Sequence, residues 1–170
     1  MTTTRLGTTH LVAAAVGLAA YYAVFGLVYG PILTDDGRLL MTSAEVLREL
    51  HFNPLRFAAE GRALVGYDHF VPLRHYLLFV ALLSALEATF GVAWLSALVV
   101  LNAVAQAAAA AIVLACAARV GGSLAVAVAV ALLVMLFDSY QWVAMSQSEP
   151  LFTLLAAGAI ATAVGAAVAD

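Results

Sequence analysis

Three groups of polar residues interrupt an otherwise apolar chain, and the first is a pair of adjacent carboxylates, Asp35 and Asp36. Such a pair can accept a proton as a general base, or hold a divalent cation that binds phosphate oxygens. A pair of solvated acids that ends an apolar span is the simpler interpretation of the same pattern. The spacing alone leaves both interpretations open.

The second and third groups lie at the starts of later apolar runs. Asp68 and His69 could position an acceptor or a phosphate, or serve as ordinary polar residues at a membrane interface. Glu149 directly precedes Pro150, which places it near the first turn of a helix. The helix dipole favours a carboxylate there, so Glu149 also has a purely structural interpretation.

Two arginines supply positive charge beside the first two groups. Arg38 follows the acidic pair and Arg74 follows Asp68 and His69, so either side chain could bind a phosphate. Surface salt bridges are the alternative role. The sequence contains no glycine-rich phosphate loop, no metal-type His/Cys spacing and no Ser-His-Asp arrangement. The sequence therefore does not identify ligands for a metal.

Composition decides the class of protein. The 170 residues are 65% hydrophobic and 10% charged, with a mean hydropathy of +1.05. Soluble domains carry about a quarter charged residues, and disorder needs low hydrophobicity, so both classes are excluded. The net charge of -3, with seven basic residues that form no cluster, argues against nucleic acid as a partner. The composition predicts an integral membrane protein.

The apolar runs predict an all-α fold, a polytopic transmembrane helical bundle forming a single membrane domain. The first span covers about 11–33, and a charged loop covers 34–72. Arg5 before the first span predicts a cytoplasmic N-terminus and an external loop, with a cleaved signal peptide as the alternative. The later apolar helices are predicted at about 73–90, 92–118, 124–137 and 150–168.

The topology of 73–150 stays open. Strict alternation of the spans puts Arg119 outside, against the positive-inside rule. The conflict disappears if the short run 73–90, which carries Ser84 and Glu87, does not fully cross.

The charged loop contains two helix signals. Thr42 and Glu45 have the spacing of a capping box, which predicts an amphipathic helix at about 43–50. Asn53-Pro54 is a second start signal, which predicts a helix at about 54–64. We expect two short juxtamembrane helices lying on the membrane surface, with an ordinary ordered loop as the alternative.

The order of these features resembles the N-terminal part of the type C (GT-C) integral-membrane glycosyltransferases, a superfamily that includes the protein O-mannosyltransferases. The resemblance rests on the acidic motif Thr34–Arg38 after the first span, the two amphipathic helices, Asp68–Leu73 and Ser148–Phe152. It implies that Asp35 or Asp36 is a catalytic base or metal-site residue. It also implies that Asp68 and His69 belong to a span-start motif and that Glu149 is an external acid near the active site.

The implied function is transfer of a sugar from a polyprenyl-phosphate donor to an acceptor at the outer face of a membrane, expected to be the bacterial plasma membrane. Membrane lipid, the donor and a partner membrane subunit are the implied partners, and a divalent cation is the one cofactor considered. Because family members have more spans, we expect a fragment, a truncated relative or one half of a split enzyme. The competing interpretation is a non-catalytic small helical membrane protein that packs with partner membrane proteins.

The predicted orientation can be tested directly. A single cysteine introduced at Ser43 or Asn53 is expected to react with membrane-impermeant reagents in intact cells, because both positions fall in the external loop. Labelling that occurs only after permeabilisation would contradict the orientation and the external site together.

Overall fold

The computed structural model describes residues 8–32, 35–65, 77–121 and 149–169, which are almost entirely helical. These residues contain no β-strand, so the predicted all-α class is confirmed for them. In chain order the helices are α1 (Thr8–Tyr29), α2 (Asp35–Glu49), α3 (Pro54–Val65), α4 (Leu77–Phe90), α5 (Trp94–Gly121) and α6 (Glu149–Ala169), with a 3₁₀ turn at Gly91–Ala93 between α4 and α5. The predicted helix at 124–137 lies outside the described residues.

Among the described residues, two helical segments are long and apolar enough to cross a membrane. One is Leu77–Cys116, which contains α4, the 3₁₀ turn and most of α5, and the other is Glu149–Ala166 in α6. The apolar part of α1, Val12–Val28, is shorter. These two segments support the interpretation that the chain is a membrane protein. The larger polytopic bundle expected from the sequence stays a prediction.

The helices divide between two compact units. The first contains α1, α5 from Val99 onward and α6. Its buried cluster is formed by Tyr22, Val99 and Ala103. Asn102 and Gln106, four residues apart on one face of α5, are also buried. Polar residues within an apolar helix prefer the protein interior, and these two lie there.

The second unit contains α2, α3 and α4. Helix α2 packs against both of the others. Its apolar residues have the 3.6-residue spacing of an amphipathic helix, so they form one buried stripe while charged residues occupy the opposite face. The buried apolar residues of this unit are Leu40, Ala44, Val46 and Leu47 of α2, Leu50 just after it, Phe57 of α3, Phe79, Val80 and Leu83 of α4, and Trp94 and Leu98 at the start of α5. The apolar face of α2 and the Phe57 side chain of α3 are thus covered by protein.

The predicted capping box is wrong. Helix α2 begins at Asp35, so Thr42 lies in its interior and cannot be a cap. The Thr42 hydroxyl donates to the Arg38 carbonyl at 3.1 Å, and the Ser43 hydroxyl donates to the Leu39 carbonyl at 2.8 Å. Hydroxyls bonded to the preceding turn are compatible with a continuous helix, which is why the local pattern misleads. Ser43 is fully buried, so Asn53 is the usable position for the labelling test.

The start of α3 agrees with the Asn53-Pro54 signal. The Asn53 side-chain oxygen accepts hydrogen bonds from the backbone N–H groups of Leu55 and Arg56, both at 3.1 Å. These bonds satisfy two donors that the first turn of a helix leaves without partners.

The turn before this cap has an unusual backbone. His51 and Phe52 have φ angles of 54° and 56°, in the left-handed region that non-glycine residues rarely adopt. The N–H groups of His51 and Phe52 donate to the carbonyls of Arg48 and Leu47, each at 2.9 Å. These bonds end α2 and turn the chain into α3, so the two helices form one packed corner.

We expect Leu47→Ala to lower the free energy of unfolding by about 2–5 kcal/mol, because Leu47 is 2% exposed and lies in the centre of the second unit. The matched control is Leu55→Ala, since Leu55 is 80% exposed and its truncation should change stability by less than about 0.5 kcal/mol. Unfolding of the full chain in detergent, followed by circular dichroism, measures both. Equal effects of the two substitutions would contradict the packing of α2.

Candidate functional site

The predicted catalytic residues Asp35 and Asp36 are the first two residues of α2. Adjacent residues lie about 100° apart around a helix axis, so only one of the two can address a given acceptor. A carboxylate in the first turn also stabilises the helix through its dipole. The acid pair thus belongs to a packed helix rather than to a flexible link after α1.

The other end of α2 is joined to α4 by an ion pair. Arg48 Nη1 lies 3.0 Å from Glu87 Oε1, and the two side chains are 42% and 28% exposed. An exposed pair of this kind contributes about 0–1 kcal/mol, but Glu87 is the only acid of the otherwise apolar helix α4. Pairing with Arg48 avoids the larger cost of leaving that carboxylate uncompensated. Sequence reasoning missed this pair, whose members are far apart in the chain.

A small cavity lies beside this ion pair, between α2, α4 and the start of α5. It is lined by Met41, Ala44, Glu45, Leu83, Glu87 and Trp94, and its volume is about 10 Å³. That volume is about enough for one water molecule and far below the size of a ligand pocket. The contact between α2 and α4 therefore serves packing.

The structure places two of the five predicted substrate-binding residues. Arg38 is exposed on α2, one turn after Asp35, where it is accessible to an anion. Glu149 is the first residue of α6 and is half-buried, and its Oε2 is buried and accepts no hydrogen bond from the described residues. Asp68, His69 and Arg74 lie outside the described residues. Convergence of Asp35 or Asp36 with these groups stays a prediction.

A cation site is not formed by the part of the chain that the structure describes. Within those residues, no group of three or more His, Cys, Asp or Glu side chains is placed to hold a metal ion. The divalent cation considered from the resemblance therefore has no ligand set there, and we derive no chemical step from it.

A second ion pair lies on the exposed surface of α3. Arg56 Nε and Nη2 donate to the two carboxylate oxygens of Glu60 at 3.0 and 2.9 Å. The spacing of four residues is the sequence signal for such a pair. The hydrogen bonds from Arg56, supported by its positive charge, hold the pKa of Glu60 below its usual value. The same hydrogen bonds raise the pKa of Arg56, so the guanidinium stays protonated.

This pair predicts a pH dependence of α3. Because the pKa of Glu60 is lowered in the folded chain, the stabilisation by the pair is fully present above the ordinary Glu pKa. It is lost as the pH falls through the lowered value. We expect Arg56→Gln to return the Glu60 pKa toward its ordinary value, measured by NMR titration of the side-chain carboxyl. An unchanged pKa in Arg56→Gln would show that the bidentate contact does not form in solution.

Comparison with known proteins identifies no relative of this chain. No family model matches the chain, and neither a curated protein nor a solved structure matches it significantly.

Proposed function

We propose that this chain is a glycosyltransferase-like integral membrane protein, which transfers a sugar from a polyprenyl-phosphate donor to an acceptor at the outer face. The supporting observation is that Asp35 and Asp36 open a helix that is held in a packed three-helix unit. A general base must be kept within about 3 Å of the proton that it accepts, which a helix of a packed unit can do better than a mobile loop. The proposed location is a bacterial plasma membrane, with the N-terminus in the cytoplasm.

The proposed reaction is a displacement at the anomeric carbon of the donor sugar. One carboxylate of the pair accepts the proton of the acceptor hydroxyl while the acceptor oxygen bonds to C1. The bond between C1 and the phosphate oxygen breaks, and the polyprenyl phosphate leaves with the electron pair. Positive charge stabilises the negative charge that develops on this phosphate.

Arg38 is the residue proposed for that phosphate. It is exposed and lies three residues after Asp35, which places both on neighbouring positions of the same helix. A guanidinium binds two phosphate oxygens at once, so it fixes the orientation of the leaving group as well as its charge. Asp68, His69, Arg74 and Glu149 are proposed to complete the substrate site.

The test uses the full chain in liposomes that contain a radiolabelled polyprenyl-phosphate sugar, with a membrane extract as the source of acceptor. We expect transfer by the wild type and a loss of about 100-fold or more in either Asp35→Asn or Asp36→Asn, since general base catalysis contributes that much. The residue whose amide variant is inactive is the base. Glu49→Gln is the matched control, because Glu49 is an exposed acid at the far end of α2. Its variant should retain full transfer.

The outcomes separate the proposal from its competitor. Full transfer in Asp35→Asn, Asp36→Asn and the double variant would remove the acid pair from the mechanism. Absence of donor consumption by the correctly inserted wild type would favour the non-catalytic alternative.

That alternative, a membrane protein that packs with partner subunits, is favoured by one observation. Helix α1 carries an open apolar surface that includes the small residues Gly17 and Ala20 and is completed by Tyr21, Val24, Phe25 and Val28. Small residues let helices approach closely in a membrane. Cross-linking from a cysteine at the exposed Val24 to another membrane protein would support this alternative.

A further inference from the structure

The described part of helix α4 is shorter than the hydrocarbon core of a membrane is thick. Its 14 residues span about 21 Å at 1.5 Å per residue, whereas the hydrocarbon core is about 30 Å thick. Helix α5, with 28 residues, reaches about 42 Å and can cross without α4. The positions of α4 and α5 in a membrane are therefore considered separately, although together they form one apolar segment.

The exposed faces of α2 and α4 have opposite character. The exposed face of α2 is charged and contains Arg38, Glu45, Arg48 and Glu49. The exposed face of α4 is uncharged and contains Leu78, Ala85, Ala88, Thr89 and Phe90. The Thr89 hydroxyl on this face donates to the Ala85 carbonyl at 2.7 Å, so its donor is already satisfied within the helix. One face suits water and lipid headgroups, and the other suits lipid chains.

The Arg48–Glu87 ion pair sets the depth of α4. Helix α2 carries charged residues along its length, so its exposed face cannot enter hydrocarbon. Arg48, near the end of α2, contacts Glu87, which lies in the last turn of α4. The end of α4 is therefore held at the level of the charged helix. An upright α4 that crossed from that side would instead place its last turn near the opposite surface.

The turn after α4 is exposed and apolar, like the uncharged face of α4. Gly91 has a φ of +53°, a left-handed conformation that redirects the chain, and Val92 is fully exposed at its tip. Phe90 beside it is 51% exposed. A water-facing turn would be expected to carry polar residues, whereas this turn continues the uncharged face of α4.

From these observations we propose that α4 does not cross the membrane but lies in the interfacial layer, on the same side as α2. Its uncharged face and the Gly91–Ala93 turn contact lipid chains, while α2 faces the headgroups and water. Helix α5 then begins on that same side and is the segment that crosses. The inference concerns a lipid surface and depends on the membrane location alone, so it stands or falls independently of glycosyl transfer.

The arrangement also accounts for the position of Arg119. If α5 crosses from the side of α2, its C-terminal end emerges on the opposite side. With the charged loop external, Arg119 is then cytoplasmic, as the positive-inside rule favours.

The test measures immersion depth at three exposed positions of α4. Nitroxide labels are placed one at a time at Leu78, Ala85 and Thr89 of the full chain, with Cys116 replaced by Ser, in liposomes of neutral phospholipid. Depth follows from collision of the label with oxygen and with a water-soluble nickel complex. We expect the three depths to agree within about 3 Å, because a helix parallel to the membrane keeps a constant depth. A helix near the membrane normal would give a spread of about 6 Å or more wherever it is centred, at 1.5 Å per residue.

Helix α6 provides a matched control with the same spacing. Leu155, Thr162 and Ala166 are exposed, are separated by the same seven and four residues, and lie in a segment long enough to cross. Their depths should differ by about 6 Å or more.

Two results would overturn the proposal. A spread in α4 equal to that in α6 would show that α4 crosses. Low oxygen collision at all three α4 positions would show that a protein partner, and not lipid, covers this face. A nitroxide at Val92 gives an independent measurement, since its depth should match that of the three α4 positions.

Discussion

The arrangement of the second unit depends on one electrostatic constraint, the single carboxylate in the apolar helix α4. Glu87 is 28% exposed and is bonded to Arg48 at 3.0 Å. The pair adds little energy by itself, but it favours the register of α2 against α4 in which the Glu87 carboxylate has a charged partner. The apolar side chains of α2 then pack in that register, and the helix that carries Asp35 and Asp36 acquires a defined position.

The packing changes how the amphipathic helices should be understood. The sequence pattern favours two helices lying on lipid by their apolar faces, but Leu47 and Phe57 are each 2% exposed and are covered by protein. Helices α2 and α3 therefore form part of a small folded unit, and α4 with its following turn adds an exposed apolar surface to it. For a glycosyltransferase-like reaction this unit would keep the acid pair in place. For a non-catalytic protein it would serve as a folded external surface.

The two helix-start signals in the loop, at Asn53 and Thr42, differed in their agreement with the structure. Asn53 predicted a helix start correctly, because a side-chain cap bonded to the next turn depends only on neighbouring residues. Thr42 carried an equally good local signal and was wrong, because its hydroxyl bonds within the helix as readily as at a cap. Packing decides between the two roles of the Thr42 hydroxyl. The buried residues from Leu40 to Leu47 lie on one face only if this stretch is helical, so Thr42 falls inside the helix. The candidate acids were identifiable by residue type, but their mutual arrangement was not.

By itself, the sequence determined that the described residues are helical, since long apolar runs in a chain that is 65% hydrophobic and 10% charged satisfy their backbone groups internally as helices. It also determined that the loop forms two amphipathic helices, because helical periodicity and side-chain caps act locally. Only the tertiary structure decided the partner of Glu87, the true start of α2 and the face of α4 that stays exposed. These features arise from contacts between residues distant in the chain, which are selected by shape and charge in the folded state and leave no periodic signal in the sequence.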